Sequence, residues 1–105
     1  MSLTEFPVKG ISRNLLDSDL QGEPLHIHIS EVDAGLRSHP PHQHGGYEAI
    51  YMLEGTGVLE IGDEIYSLTA NESAVFDPRK LHGFRNDSEQ PMRYMVIIYR
   101  GGKST

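Results

Sequence analysis

The stretch Gly35-Leu36-Arg37-Ser38-His39-Pro40-Pro41-His42-Gln43-His44-Gly45-Gly46-Tyr47-Glu48 sets how the rest of the sequence is read. On a β-strand, residues two apart point to the same side, separated by ~6.5–7 Å along the strand. His42 and His44 stand in that relation. Their imidazoles can therefore converge on one ion, with nitrogens ~2.0–2.1 Å from it if it is zinc. Glu48 shares their even parity, which puts its carboxylate on the same face of a continuing strand. Gly45-Gly46 lies between, where the backbone can bulge or turn without a Cβ penalty and aim Glu48 back at the ion. Pro40-Pro41 hold the preceding chain extended, leaving His39 at a cavity mouth or in solvent. The fourth group must come from elsewhere. His82 sits in a separate run and shares parity with Phe84 and Asn86; an antiparallel barrel brings that run beside the first. Three neutral imidazoles and one carboxylate leave a divalent ion with a residual charge of about +1, and a six-coordinate metal keeps positions open for water or a bidentate oxygen ligand.

Working outward, eleven glycines and six prolines divide the chain into short runs that read as strands. Leu25 to Ile29 alternates apolar and polar. Tyr47 to Leu53 ends at Glu54-Gly55-Thr56-Gly57, and Val58 to Ile61 turns through Gly62-Asp63 into Ile65 to Leu68, a hairpin signal. Ala74 to Phe76 stops at Asp77-Pro78, Leu81 to Arg85 follows, and Met92 to Tyr99 is the longest apolar run and the expected most buried strand. Short strands at this spacing predict an all-β antiparallel sandwich or barrel. Ile11 to Leu20 is the one stretch with room for a helical turn, though it reads rather as an N-terminal cover segment. The sequence predicts one domain over 1–105, with a cover segment at 1–21, a barrel over about 22–100 and a frayed tail at 101–105. Met1-Ser2-Leu3 reads as an expression scar.

The order of these residues resembles the cupin superfamily. Its first motif is a Gly, five residues, His-x-His, three or four residues, Glu, six residues and Gly. Here it reads Gly35, six residues, His42-Gln43-His44, three residues, Glu48, six residues and Gly55. The second motif runs from a Gly through Pro-x-Gly-x-x-His to an Asn four residues beyond the His. Here Asp77-Pro78-Arg79-Lys80-Leu81-His82-Gly83-Phe84-Arg85-Asn86 keeps the His, the Asn and an adjacent Pro, while Asp77 and Arg79 replace the motif's Pro and Gly. The resemblance implies an antiparallel double-stranded β-helix, or jelly-roll barrel. Carried over residue by residue, it implies His42, His44, Glu48 and His82 as ligands of one divalent metal ion. Imidazole with carboxylate suits iron, manganese, zinc, nickel or copper, and the ligand set does not choose among them.

Other positions follow from parity. Ile50 and Met52 are expected beside Glu48, Phe84 beside His82, and Tyr94, Val96 and Ile98 on one face of the last strand with Met95, Ile97 and Tyr99 on the other. His26-Ile27-His28 is a second His-x-His without a carboxylate of matching parity, and it reads as a sheet face or dimer face. Arg37, Arg79 and Arg85 are candidates to clamp a substrate carboxylate. Tyr47, Tyr51 and Tyr66 are candidate hydrogen-bonding or acid/base groups.

The charge of −6, from 9 Lys+Arg against 15 Asp+Glu, repels phosphate backbones, and with no basic stripe a nucleic-acid partner is not expected. The lack of a DNA-binding segment argues against a self-contained transcription factor. No apolar run approaches the ~20 residues of a membrane span, and no signal pattern opens the chain. The absence of cysteine excludes disulfides and thiolate chemistry and fits a reducing, cytoplasmic setting. Exposed strand edges and the resemblance together imply a homodimer. The resemblance implies a metalloenzyme acting on a small oxygenated organic molecule, by a dioxygenase, isomerase or lyase reaction. The alternative is a non-catalytic module that binds or senses a small ligand in the same pocket.

Overall fold

A computed structural model describes residues 3–20 and 25–100. The expected tail at 101–105, the first two residues of the scar and the point near 22 where the barrel was expected to begin lie outside the described residues. Among the described residues nine strands follow one another: β1 (Leu3–Glu5), β2 (Leu15–Asp17), β3 (Leu25–Val32), β4 (Tyr47–Glu54), β5 (Thr56–Ile61), β6 (Glu64–Thr69), β7 (Ser73–Phe76), β8 (His82–Arg85) and β9 (Met92–Tyr99). Among the described residues there is no helix, so none is long and apolar enough to cross a membrane.

The strands form a four-stranded antiparallel sheet in the order β3-β9-β4-β7, a three-stranded one in the order β6-β5-β8, and a separate β1-β2 ribbon. Strand β9 lies between β3 and β4 and pairs along its length with both, which is why it is the longest apolar run. Its inward residues Met92, Tyr94, Val96 and Ile98 are buried, as the alternation predicts. They pack with Val32, Ile50, Met52 and Phe76 of their own sheet and with Leu59, Leu68 and Phe84 of the other, so the core is the space between two inner faces. Gly62, in the left-handed region at φ 57°, makes the two-residue turn that joins β5 to β6.

The stretch that had room for a helical turn, read as a cover segment, holds a strand at Leu15–Asp17 paired with β1, its backbone polar groups satisfied across the ribbon. One expectation is corrected: the two sheets are not closed into one hydrogen-bonded barrel. The turn after Asp77 carries the chain from β7 in one sheet to β8 in the other, and among the described strands no ladder joins the sheets. The result is a β-sandwich whose open end holds the histidine-rich loop before β4. That loop is tied to the second sheet by single bridges, Arg37 to Arg85 and His42 to His82.

Candidate metal centre

His82 opens β8 and His42 lies antiparallel to it, with His42 N–H donating to the His82 carbonyl at 2.9 Å and His82 N–H to the His42 carbonyl at 3.0 Å. His44 N–H donates to the Pro78 carbonyl at 2.9 Å, which pins the next residue of the loop. Gly46, at φ 90°, then turns the chain into β4, where Glu48 lies opposite Phe76 and Ile98. By this route two distant stretches of sequence meet. The ligand atoms of His42, His44 and His82 all lie within 4.8 Å of one another. Glu48 Oε1 stands 2.8 Å from His44 Nε2 and 3.5 Å from His82 Nε2.

The hydrogen bonds around these rings assign their tautomers. His82 Nδ1 lies 2.8 Å from the Lys80 carbonyl and His44 Nδ1 3.0 Å from the Gly45 carbonyl. A carbonyl only accepts, so each Nδ1 carries the hydrogen and each Nε2 presents a lone pair inward. Glu48 Oε1 and His82 Nε2 are buried without a hydrogen-bond partner. A neutral His44 ring would set its Nε2 lone pair against Glu48 in the same way. Buried acceptors left facing one another are costly unless a cation lies among them. Neutral imidazoles with one carboxylate form a donor set that suits a divalent transition metal, so the residues fit such an ion. His42 is held neutral: burial first, then the neighbouring His39, His82 and His44 rings, push its pKa down from about 6.5 to about 4.

These groups line one end of a cavity of about 240 Å³. Ile50, Leu59, Phe84, Val96 and Ile98 supply apolar wall, and Lys9, His28, Ser30, Ser38, His39 and Tyr94 supply polar groups. His39 stacks on His42 with ring centroids 4.0 Å apart, so it lines the cavity rather than only solvent. His28, whose ring nitrogen lies 2.9 Å from that of His26, also faces the cavity, contrary to its reading as a plain sheet or dimer face. Burial, His26 and Lys9 lower its pKa. Burial raises the pKa of the Tyr94 phenol, against smaller lowering effects of the Ser38 and Ser30 hydroxyls.

Several candidates are not brought to this cavity. Arg37 and Arg85 both pair with Glu60, Arg85 also with Asp87, and Arg79 pairs with Asp77; none lines the cavity wall. Their charges are neutralised by nearby carboxylates on the outer surface. Tyr47, Tyr51 and Tyr66 are exposed and away from it. Met52 shares Glu48's face but is wholly buried in the core below. The sequence reading missed Lys9, Ser30, Ser38 and Leu59. For Ser30 a signal existed, since it shares parity with His28 and with the apolar Val32; for Lys9 there was none.

The chain was compared with known proteins. It matches the family model for the cupin domain over residues 28–98. No curated protein matches it. Solved structures of the same fold include one from Thermus thermophilus, 24% identical with a TM-score of 0.68, covering 94% of this chain and 84% of that one. The cupin domain of an XRE-family transcriptional regulator from Enterobacter cloacae is 22% identical with a TM-score of 0.68, covering 80% of this chain and 90% of that one. A sugar phosphate isomerase of the cupin superfamily from Silicibacter pomeroyi is 21% identical with a TM-score of 0.67; the match covers 73% of this chain and 51% of that protein.

Proposed function

Because the chain belongs to the cupin domain family, we propose that it is a metal-dependent cupin in which His42, His44, Glu48 and His82 hold one divalent ion and the cavity above them takes a small oxygenated organic molecule. The observation that carries this reading is the pair of buried, unpartnered acceptors, Glu48 Oε1 and His82 Nε2, beside two more imidazoles. When bound, such an ion supplies Lewis acidity toward an oxygen ligand. The chain's own residues do the rest. Lys80 and Gly45 carbonyls hold the His82 and His44 rings in the tautomer that presents Nε2. Ile50, Leu59, Phe84, Val96 and Ile98 limit water around the reacting molecule, which strengthens every polar contact inside. The Ser30, Ser38 and Tyr94 hydroxyls offer donors to its oxygens.

The finer reading is an enzyme of dioxygenase, isomerase or lyase type, working as a homodimer in the cytoplasm. Leu25 on β3 and Val75 on β7 are 55% and 77% exposed at the two edges of the larger sheet, which supports pairing there. The cysteine-free composition supports a reducing compartment. The test begins with metal analysis of protein purified without a His-tag column. About one divalent ion per chain is expected. In His82→Ala, metal affinity should fall by more than the roughly 10–100-fold that loss of an outer hydrogen-bond partner costs. Wild-type protein that takes up no divalent ion would overturn the reading. Loaded protein that binds oxygenated acids without turning any over would assign the chain as a binding module instead.

A further inference from the structure

The segment after β1 makes a tight turn, with Val8 bridged to Ile11 and Gly10 at φ 77°. It is pressed onto β3: Ile29 N–H donates to the Lys9 carbonyl at 2.9 Å, and a Cβ on Gly10 would stand 2.2 Å from the Ile29 carbonyl oxygen. Only glycine fits there, and the turn is thereby fixed in place. Its consequence is where Lys9 goes. The Lys9 ammonium donates to Ser30 Oγ at 3.1 Å, and both residues line the cavity that holds the histidines. Ser30 is buried, lies opposite Tyr94 in the ladder, and stands with Ser38 beside the Tyr94 phenol.

Lys9 is the one lysine or arginine on the wall of this cavity among the described residues. The arginines near the site face Glu60, Asp77 or Asp87, whereas among the described residues no carboxylate lies within ion-pair distance of Lys9. Its place relative to the proposed ion follows from register. Glu48 lies in the row Glu48–Ile98–His26, and Ser30 in the row Met52–Tyr94–Ser30. That is two strands across and four residues along, or about 10 Å by about 13 Å between backbones before side chains reach inward. Lys9 therefore stands well apart from Glu48 and the histidines gathered on it, with His28 the cavity histidine near enough to feel its charge.

Charge decides what fits between them. A divalent ion with one carboxylate leaves about one positive charge at the near end, and Lys9 supplies a second at the far end of a protein that is otherwise acidic. Resting on the metal-centre reading and deepening it, we infer that Lys9 is a specificity-determining anion clamp, and that the substrate is an elongated small acid whose oxygen-rich head binds the metal and whose distal carboxylate meets Lys9, Ser30 and Tyr94. A short monoacid leaves the ammonium unmatched. Lys9 is an exposed residue, yet a charge-assisted hydrogen bond is stronger than a neutral one, and its loss is expected to cost about tenfold in affinity.

The test uses zinc-loaded protein and two probes, 2-oxoglutarate and 2-oxopentanoate, which share a chelating head and chain length and differ in the distal carboxylate. Calorimetry should show wild type preferring 2-oxoglutarate by about tenfold or more. Lys9→Met should abolish the preference while leaving the affinity for 2-oxopentanoate and the metal content unchanged, and Lys9→Arg should retain part of it. No preference in wild type, binding of neither probe by metal-loaded protein, or a preference that survives in Lys9→Met, overturns the clamp. A second arm uses metal-free protein, reading the backbone amide shifts of Ser30 and Tyr94 with the same probes. A shift that needs both the distal carboxylate and Lys9 supports the clamp, and its absence counts against it. Metal content on the same samples separately decides the metal-centre reading, so the two can fail independently.

Discussion

Asn86 satisfies four polar atoms with one buried amide. Its Nδ2 donates to the Val32 carbonyl at 3.0 Å and the Gln90 carbonyl at 2.7 Å, and its Oδ1 accepts from Ser88 N–H at 2.9 Å and Ser88 Oγ at 2.7 Å. The side chain thus closes the turn between β8 and β9 against the end of β3. Asn86→Ala leaves carbonyls without a donor and is expected to cost about 1–3 kcal/mol. Asn86→Asp should cost more, because it sets a carboxylate oxygen against two carbonyls. Urea unfolding measures both, and an Asp variant as stable as wild type would refute this role. The same scale shows what was legible. His42, His44, Glu48 and His82 could be picked out by their spacing and motif order, and the structure gathers the three imidazoles with Glu48 against two of them, although His42 and His44 lie in the loop before β4 rather than on a continuing strand. Arg37, Arg79 and Arg85 were chosen for nearness in sequence alone, and a long charged side chain near a motif goes to the closest carboxylate. Asn86 was visible as a motif position, but not the turn it holds.

Elements were read better than their assembly. Met92 to Tyr99 coincides with β9, and the hairpin at Gly62-Asp63 joins β5 to β6, because alternation and turn chemistry are local. Whether sheets close into a barrel depends on pairing between distant strands, which no local pattern encodes, and here the sheets stay apart. The Gly45-Gly46 pair divides unequally in the same way. Both were read as permissive, yet only Gly46 adopts a positive φ, of 90°. A Cβ there would meet the Tyr99 carbonyl oxygen at 2.5 Å, whereas at Gly45 it meets nothing within 4 Å. Gly46→Ala is therefore expected to destabilise the fold by about 1–3 kcal/mol, from the left-handed backbone and the overpacked contact together. It should also weaken metal binding, since the turn aligns His44 with Glu48. Gly45→Ala should stay within about 0.5 kcal/mol of wild type. Denaturant midpoints and zinc titration of the two variants separate these outcomes, and equal behaviour would show that the turn does not set the geometry.

At the scale of the whole molecule, the cavity gathers five of the chain's six histidines between two sheets of an acidic protein. Burial, together with His26 and Lys9, holds His28 below its ordinary pKa, while His39, His42, His44, His82, Glu48 and Tyr94 line the same cavity. His42 is lowered to about 4, by burial and then by His39, His82 and His44. In the unfolded chain both return to about 6.5. Between about pH 6.5 and about pH 4 the unfolded state therefore binds more protons than the native one, and stability rises with pH across that window. At the acidic end the carboxylates act in the same direction. Glu60, held low first by its hydrogen bond from Arg37, and Asp77, held low by Arg79, contribute stability that is complete above their ordinary range and is lost as pH falls below it toward their lowered values. Metal-free protein should accordingly show a stability plateau above about pH 7 and a continuous loss from about pH 6.5 downward, with no separate rise on the acid side. His28→Gln removes one of the depressed groups and should shallow the upper part of the slope while leaving the carboxylate limb unchanged. Chemical unfolding of both proteins at intervals from pH 8 to pH 4 reads this directly, and a wild-type profile flat down to pH 5 would mean that the cavity imidazoles are already protonated in the folded state.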